Sequence, residues 1–216
     1  MKNEKASDEA SRVPEPTDPT VHDPISVRPG AARPFLSDIQ EIRRRAREHI
    51  SRGAVTPSYV GDVNLAVRVL NEALATEIVC TLRYRSHYFM ADGLESESVK
   101  QEFLEHAQEE EAHASQISER IRQLGGVPDW NPANLVSRSH AEFEQGETLL
   151  DMIEEDLIAE RIAIESYREM IRFFGQNDPT SRRLMEEILA KEEEHAEDLA
   201  SLLVRFDKRP AASAAS

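Results

Sequence analysis

The strongest constraint on this chain is an apolar stripe that runs along each of four long segments and is broken near its middle by a glutamate. The segments cover about residues 62–91, 96–124, 147–174 and 180–206. Within each segment apolar residues recur at spacings of three and four, the period of an amphipathic α-helix. No segment alternates with the period of two expected for a strand. The sequence therefore predicts an all-α fold.

The loops between the segments indicate how the helices are connected. The breaks "ADGLES" near residue 93 and "GQNDPTS" near residue 178 are short. The middle connection, which begins with "GGVPDWNP" at residue 125, is about 22 residues long, enough to cross the length of a bundle. Short loops join antiparallel neighbours. We predict an antiparallel four-helix bundle with a long crossover between helices two and three.

The composition divides the chain into four regions. Residues 1–36 are rich in proline and are expected to form a disordered N-terminal arm. Residues 37–60 read as a short basic helix and linker, residues 61–206 as the four-helix bundle, and residues 207–216 as a flexible tail. The arginines of the short helix, Arg43, Arg44, Arg45 and Arg47, favour a solvated face or a contact between subunits over an arm that touches DNA.

The charge and the cysteine content exclude several classes of protein. The formal net charge is -15, with 26 Lys+Arg against 41 Asp+Glu, so we expect no nucleic-acid partner, because phosphate binding needs a basic face. Cys80 is the single cysteine, which excludes a disulfide framework and a four-thiolate site. The first residues lack the apolar core of a secretion signal, and no apolar run has the length of a membrane span. We expect a cytoplasmic protein without membrane contact.

The residues that break the apolar stripes form one pattern. Each stripe contains a glutamate, and the second and fourth stripes also contain a histidine three residues later; the set is Glu77, Glu110, His113, Glu160, Glu192 and His195. Residues three apart share a helix face, so each Glu-x-x-His pair can reach one ion. Glu77 and Glu110 lie almost equally far from the turn at Gly93, and Glu160 and Glu192 lie equally far from Gln176. All six side chains should therefore meet halfway down the bundle.

Four buried carboxylates at one level need a partner. An unpaired ionised carboxylate in an apolar core costs several kcal/mol, and two divalent cations would cancel the charge of four. One glutamate from each of two helices and Glu-x-x-His from the other two form the constellation that holds two iron or manganese ions. Oxygen and imidazole ligands suit both metals. We expect two iron ions per subunit, with manganese as the alternative metal; a metal-free polar cluster that only sets the helix register is the third interpretation.

Four stretches carry a resemblance to a known family. The stretches "LNEALATEIVCTLRY" at 70–84, "QEEEAHA" at 108–114, "DLIAERIAIESY" at 156–167 and "KEEEHAE" at 191–197 are similar to bacterioferritin and related ferritin-like iron proteins. The resemblance covers about residues 63–206. It implies a ferritin-like bundle that binds two Fe(II) ions, oxidises them with O2 or H2O2, and stores ferric mineral in a hollow homo-oligomeric shell. It makes the six residues the metal ligands, with Glu110 and Glu192 bridging and Glu77 and Glu160 terminal.

The sequence departs from the bacterioferritin pattern at two places. Bacterioferritins carry a haem-binding methionine directly after the first glutamate of the second helix's motif, and Glu111 stands there in this chain, so we expect no haem. They also carry a short fifth helix, whereas only "DKRPAASAAS" follows Phe206. The homo-oligomer, built from dimers, is therefore open between an octahedral shell and a smaller tetrahedral shell of the Dps kind.

The expected function is that of a ferroxidase for iron storage and detoxification. The alternative is a non-storage di-iron or di-manganese oxidase or peroxidase of the rubrerythrin-like type. Rubrerythrin-like proteins usually carry a four-cysteine electron-transfer domain, which a chain with one cysteine cannot form.

Several residues near the six ligands have two interpretations. Tyr84 and Tyr167 lie two helical turns after Glu77 and Glu160, where each could hold a ligand carboxylate across the bundle or could simply pack in the core. Asp156 could accept the free ring N–H of a ligand histidine or could face solvent. His106 is expected to pack in the core or to support one of the metal ligands, and not to be a seventh ligand itself. The surplus carboxylates are expected on a solvated face; they include Glu105, Glu109, Glu111, Glu193 and Glu194.

Overall fold

The computed structural model describes residues 38–93 and 96–207, and within these ranges it contains helices and no strand. The helices are α1 (Ile39–Arg45), α2 (Val63–Met90), α3 (Glu97–Gln123), α4 (Leu135–Arg138), α5 (Leu149–Phe174) and α6 (Pro179–Asp207). Two 3-10 turns occupy Ile50–Arg52 and Pro132–Asn134. The prediction of four long helices, a long crossover and a short N-terminal helix is confirmed. The predicted arm at 1–36 lies outside the described residues, and so does the predicted tail at 207–216 except for Asp207, which is the last residue of α6.

Local side chains determine where the long helices begin. The Asp62 carboxylate accepts hydrogen bonds from the backbone N–H groups of Asn64 and Leu65, at 2.9 and 3.1 Å, and so caps α2. Thr148 and Asp151 form a reciprocal capping box at the start of α5. Pro179 opens α6, where a proline costs no backbone hydrogen bond. These caps explain why the helix starts could be read from the sequence.

The four long helices pack as two hairpins, α2 with α3 and α5 with α6. Their apolar stripes form two large clusters of buried side chains, and a small third one consists of Cys80, Ala141 and Ala159. One cluster includes Leu70, Leu74, Ile117, Met185 and Ile188, and the other includes Val99, Phe103, Ile153, Leu199 and Leu202. On α3, α5 and α6 the buried glutamate lies along the chain between residues of the two large clusters, and on α2 Glu77 lies near the end of the first cluster. The middle of the bundle is therefore polar, although both of its ends are apolar.

A buried ionic network connects α2, α5 and the crossover. Arg83 Nε donates to Asp156 Oδ1 at 2.8 Å, and its Nη1 donates to the carbonyl oxygen of Glu142 at 2.9 Å. His87 Nδ1 lies 2.8 Å from Asp156 Oδ2, and its Nε2 lies 3.1 Å from the carbonyl oxygen of Glu144. Asp156 therefore pairs with Arg83 and His87. The two interpretations offered for Asp156 from the sequence, a hydrogen bond to a ligand histidine and a position facing solvent, are both wrong. The physical reason is that a buried guanidinium needs a carboxylate partner.

Within the predicted helix and linker at 37–60, the N-terminal helix is short and covers Ile39–Arg45. It ends at Arg45, and His49 then adopts a left-handed backbone conformation with a φ of 51°, which an α-helix cannot contain. The Arg44 guanidinium pairs with Glu41, at 2.7 Å, and with Glu48. These pairs favour the solvated-face interpretation of the arginine cluster. Among the described helices, none combines the length and the apolar character that crossing a membrane requires.

Asp156→Ala should destabilise the bundle strongly. The substitution leaves the Arg83 guanidinium buried without its carboxylate, and such changes cost about 3–5 kcal/mol. We expect this loss in the free energy of unfolding, measured by chemical denaturation of the metal-free protein. Glu154→Ala, at an exposed position on the same helix, is the matched control. A loss in Asp156→Ala no larger than in the control would contradict the role assigned to this network.

Candidate metal centre

The six side chains that break the stripes lie together in the middle of the bundle. They form two groups in which each residue offers one ligand atom and all of these atoms lie within 4.8 Å of one another. The first group is Glu77, Glu110, His113 and Glu192, and the second is Glu110, Glu160, Glu192 and His195. All six residues are buried. Because Glu110 and Glu192 belong to both groups, the geometry matches two adjacent ions that share two carboxylates.

Three of these atoms are buried without a hydrogen-bond partner in the protein. They are Glu110 Oε1, Glu192 Oε1 and His195 Nδ1. Glu192 Oε1 lies 3.2 Å from His113 Nδ1, and Glu110 Oε1 lies 3.3 Å from His195 Nδ1, but neither contact has the geometry of a hydrogen bond. Buried polar atoms are normally satisfied. Unsatisfied atoms on the two shared carboxylates and on a facing imidazole fit divalent cations.

Two tyrosines connect the hairpins through the remaining carboxylates. The Tyr84 hydroxyl on α2 donates to Glu160 on α5, and the Tyr167 hydroxyl on α5 donates to Glu77 on α2. Each tyrosine therefore orients a glutamate of the opposite hairpin. Hydrogen bonds of this kind fix the position of a ligand and tune its basicity.

The surroundings of His195 differ from the sequence-based expectation. Its Nε2 lies 2.6 Å from Glu109 Oε2, although Glu109 was assigned to a solvated face. The ring of His106 stacks on that of His195 with centroids 4.0 Å apart, and His106 Nδ1 lies 3.2 Å from the Tyr84 hydroxyl oxygen. Burial, together with the nearby His195, lowers the pKa of His106 to about 4. Glu109 was missed because it does not follow the apolar stripe and because its contact with His195 depends on the register between α3 and α6.

Comparison with known proteins identifies the family. The family model described as "Ferritin-like domain" matches residues 67–209. This chain belongs to the ferritin-like family. It is 32% identical over 137 residues to a nutrient stress-induced DNA-binding protein of Synechococcus sp., a match that covers 62% of this chain and 78% of the relative. It is 29% identical over 143 residues to bacterioferritin BfrA of Mycobacterium tuberculosis, covering 66% of this chain and 86% of the relative.

A solved structure supports the same assignment. The dodecameric thioferritin of Bacteroides fragilis, a bacterioferritin-related protein, is similar to this chain with a TM-score of 0.65 and 31% sequence identity. The match covers 68% of this chain and 89% of the thioferritin. The ferritin-like fold inferred from the helix pattern is thereby confirmed.

Protons can balance the charge of this ferritin-like centre when no cation is bound. Burial, with the charges of neighbouring glutamates, raises the pKa values of Glu77 and Glu160 well above their usual range. Burial has the same tendency at Glu110, but the close contacts with the imidazoles of His113 and His195 outweigh it, and the pKa of Glu110 falls; the pKa of Glu192 falls for a similar reason. The pKa of His195 rises to about 12, despite burial, because of the carboxylates around it, and that of His113 also rises.

Loading two divalent cations at neutral pH should release protons. Two neutral carboxylic acids and two imidazolium groups must each lose a proton before all six residues can act as ligands, so we expect up to four protons per chain. Cation affinity should fall as the pH is lowered, because protons compete for the same atoms. The release can be followed in weakly buffered solution during anaerobic addition of Fe(II). Binding of two ions without release would show that the centre is already deprotonated.

Glu109→Gln should weaken cation binding at the His195 half of the centre. The carboxylate accepts the second ring N–H of His195, and loss of such partners typically lowers metal affinity about 10- to 100-fold. Anaerobic titration with Co(II) measures the change. The exposed neighbour Glu111→Gln is the control, and equal affinities in the two variants would mean that Glu109 does not support His195.

Proposed function

We propose that this protein is a ferroxidase that oxidises Fe(II) at a dinuclear centre inside each subunit and stores the ferric product. The observation that carries the proposal is the pair of ligand groups that share Glu110 and Glu192. In this assignment Glu110 and Glu192 would be shared by the two ions. Glu77 and His113 complete one half-site, and Glu160 and His195 complete the other.

The centre suits iron as a substrate. Four carboxylates and two imidazoles offer the oxygen and nitrogen atoms that Fe(II) accepts, and their charge cancels that of two divalent ions. Manganese accepts the same ligands. Two adjacent Fe(II) ions supply two electrons together: O2 takes them up with two protons to give H2O2, and H2O2 takes them up with two protons to give two waters. Either oxidant is compatible with the site.

The protein's own groups supply position and protons. Tyr84 donates to Glu160 and Tyr167 donates to Glu77, so each terminal carboxylate is held by a tyrosine of the opposite hairpin. Glu109 fixes the ring of His195 with Nδ1 directed into the centre. The two apolar clusters on either side limit the access of water.

Storage requires an assembly, and we propose a homo-oligomer. The supporting comparison is the thioferritin of Bacteroides fragilis, which is dodecameric. The name of the Synechococcus relative includes DNA binding. We do not extend that property to this chain, because its net charge is -15 and Arg44 is already paired with Glu41 and Glu48.

Glu192→Gln should abolish rapid iron oxidation. It removes a charged oxygen from both half-sites at once, so we expect the initial rate to fall by at least about 100-fold, beyond the usual effect of an outer-sphere change. Ferric absorbance after aerobic addition of Fe(II) reports the rate. Glu193→Gln changes the adjacent exposed carboxylate and should keep the normal rate. Similar rates in the two variants would contradict the proposal.

The number of irons oxidised separates storage from the alternative. Many irons per chain, retained in a large particle, support a storage ferroxidase. Saturation at two per chain without a large particle supports a non-storage di-iron oxidase or peroxidase of the rubrerythrin-like type. Oxidation of neither kind, with no bound metal, supports a polar cluster that only sets the helix register.

A further inference from the structure

The short helix α1 carries an apolar face that no other described helix covers. It lies before the ferritin-like domain, which begins at residue 67, and among the helices of the described residues it packs against none. Ile39 and Ile42 are 54% and 40% exposed, and the exposed Ala46 lies one turn further on the same side. The backbone N–H of Ala46 donates to the carbonyl oxygen of Ile42 at 2.9 Å, so these three residues form one face. An apolar face of this kind marks an interaction surface.

The charges of α1 are divided between two sides of the helix. Arg44 pairs with Glu41 and Glu48, on the side away from the isoleucines. Arg43 and Arg47, one turn apart, border the apolar face instead. The Arg47 guanidinium donates to the carbonyl oxygen of Arg43, and neither arginine has a carboxylate partner in the described part of the chain. The helix therefore presents an apolar face with an unpaired cationic edge.

The surface of the hairpin formed by α5 and α6 contains a groove of complementary character. This α5–α6 groove has a volume of about 770 Å³. It is lined by Leu157, Ile158 and Ile162 of α5 and by the small residues Ala196 and Ala200 of α6, which leave room for a helix to approach. Ile158 is 50% exposed. Apolar grooves bind amphipathic helices by accepting their apolar face.

The charged residues of the groove differ between its two helices. Arg161 and Arg168 line it from α5, and Arg168 already pairs with Glu165 and Glu193, at 3.0 and 2.9 Å. Glu197 lines it from α6 and has no ion-pair partner within the described residues. A helix with one cationic edge is therefore complementary to the groove when that edge faces α6, whereas the reverse orientation places it beside Arg161.

The dimensions of the helix and the groove also agree. The seven residues of α1 extend over about 10 Å, and the groove follows α5 from residue 157 to residue 168, over about 16 Å. A contact of this length buries less than the roughly 800 Å² per partner of a stable interface. It therefore strengthens an assembly that other surfaces also hold together.

We propose that α1 of one copy of this chain docks in the α5–α6 groove of a second copy. Ile39 and Ile42 pack against the apolar side chains of the groove, and Arg43 and Arg47 face Glu197 of the partner subunit. The proposal deepens the proposed homo-oligomer, on which it rests, by adding a contact from a helix outside the ferritin-like domain.

Cross-linking between two differently tagged, co-expressed copies of the full chain tests the contact. A short bismaleimide should join Ile42→Cys in one copy to Ile158→Cys in the other, and the native Cys80, which is 3% exposed, should not react. In the control, Leu82→Cys replaces Ile158→Cys, because Leu82 on α2 is equally exposed, at 50%, and the yield should be several-fold lower. A product formed only when both new cysteines are on one chain, or a yield no higher than in the control, would overturn docking between copies.

The strength of the assembly gives a second readout. Ile42→Asp should raise, several-fold, the concentration at which half of the full chain is assembled, as measured by sedimentation velocity. Val60→Asp, at a 78% exposed position outside α1, is the control and should match the wild type. If both variants assemble like the wild type, the docking fails and the proposed homo-oligomer stands. If the wild type assembles at no concentration, the docking and the homo-oligomer both fail, and iron oxidation still tests the dinuclear centre.

Exchange of charges tests the orientation of α1 in the groove. Glu197→Lys should weaken the assembly several-fold, and adding Arg43→Glu with Arg47→Glu should restore it, because the two charges are exchanged. Glu154→Lys, at an exposed position of α5 outside the groove, should have no effect. Failure of the exchange to restore assembly would overturn the contact with Glu197. A DNA duplex that binds the wild type but not Arg43→Glu with Arg47→Glu, with assembly unchanged, would assign α1 to nucleic acid and overturn the docking.

Discussion

The structure depends on how four carboxylates are made neutral in the middle of an apolar bundle. Glu77, Glu110, Glu160 and Glu192 are each 1% exposed, so water cannot screen them. Without cations, protons on two carboxylic acids and two imidazoles provide the balance; in the proposed function, two divalent cations would provide it instead. The same requirement explains why the two large apolar clusters are separate and why the tyrosine hydroxyls donate to the glutamates of the opposite hairpin.

The two half-sites are similar in their ligands and different in their surroundings. Each has one terminal glutamate held by a tyrosine and one histidine that directs Nδ1 inward. In addition, the His195 half contacts Glu109 and His106, and a cleft between α3 and α6 reaches it. The Arg83–Asp156 pair holds the crossover against the bundle without contributing to the centre. The two halves of the proposed centre therefore differ in the side chains around them and in the cleft beside them.

Much of this arrangement could be predicted from the sequence, because helix period and ligand spacing are local properties. The six residues that break the four stripes all predict the same height along the bundle. The short loops predict which helices pair as hairpins. The partners of Asp156, His87 and Glu109 could not be predicted. The partners of Arg83 and His87 include backbone carbonyl groups of the crossover. The sequence does not show which of these carbonyl groups lie beside the two side chains. Likewise, the contact of Glu109 with His195 depends on the register between α3 and α6. This register cannot be read from the sequence of either helix alone.

The most direct test of the dinuclear centre is anomalous scattering at the iron edge from crystals of the full chain loaded with Fe(II) in the absence of oxygen. The account predicts two peaks in the middle of the bundle, each in contact with Glu110 and Glu192. One peak should also contact Glu77 and His113, and the other should also contact Glu160 and His195. Iron bound only elsewhere, or these side chains turned away from one another into solvent, would contradict the account.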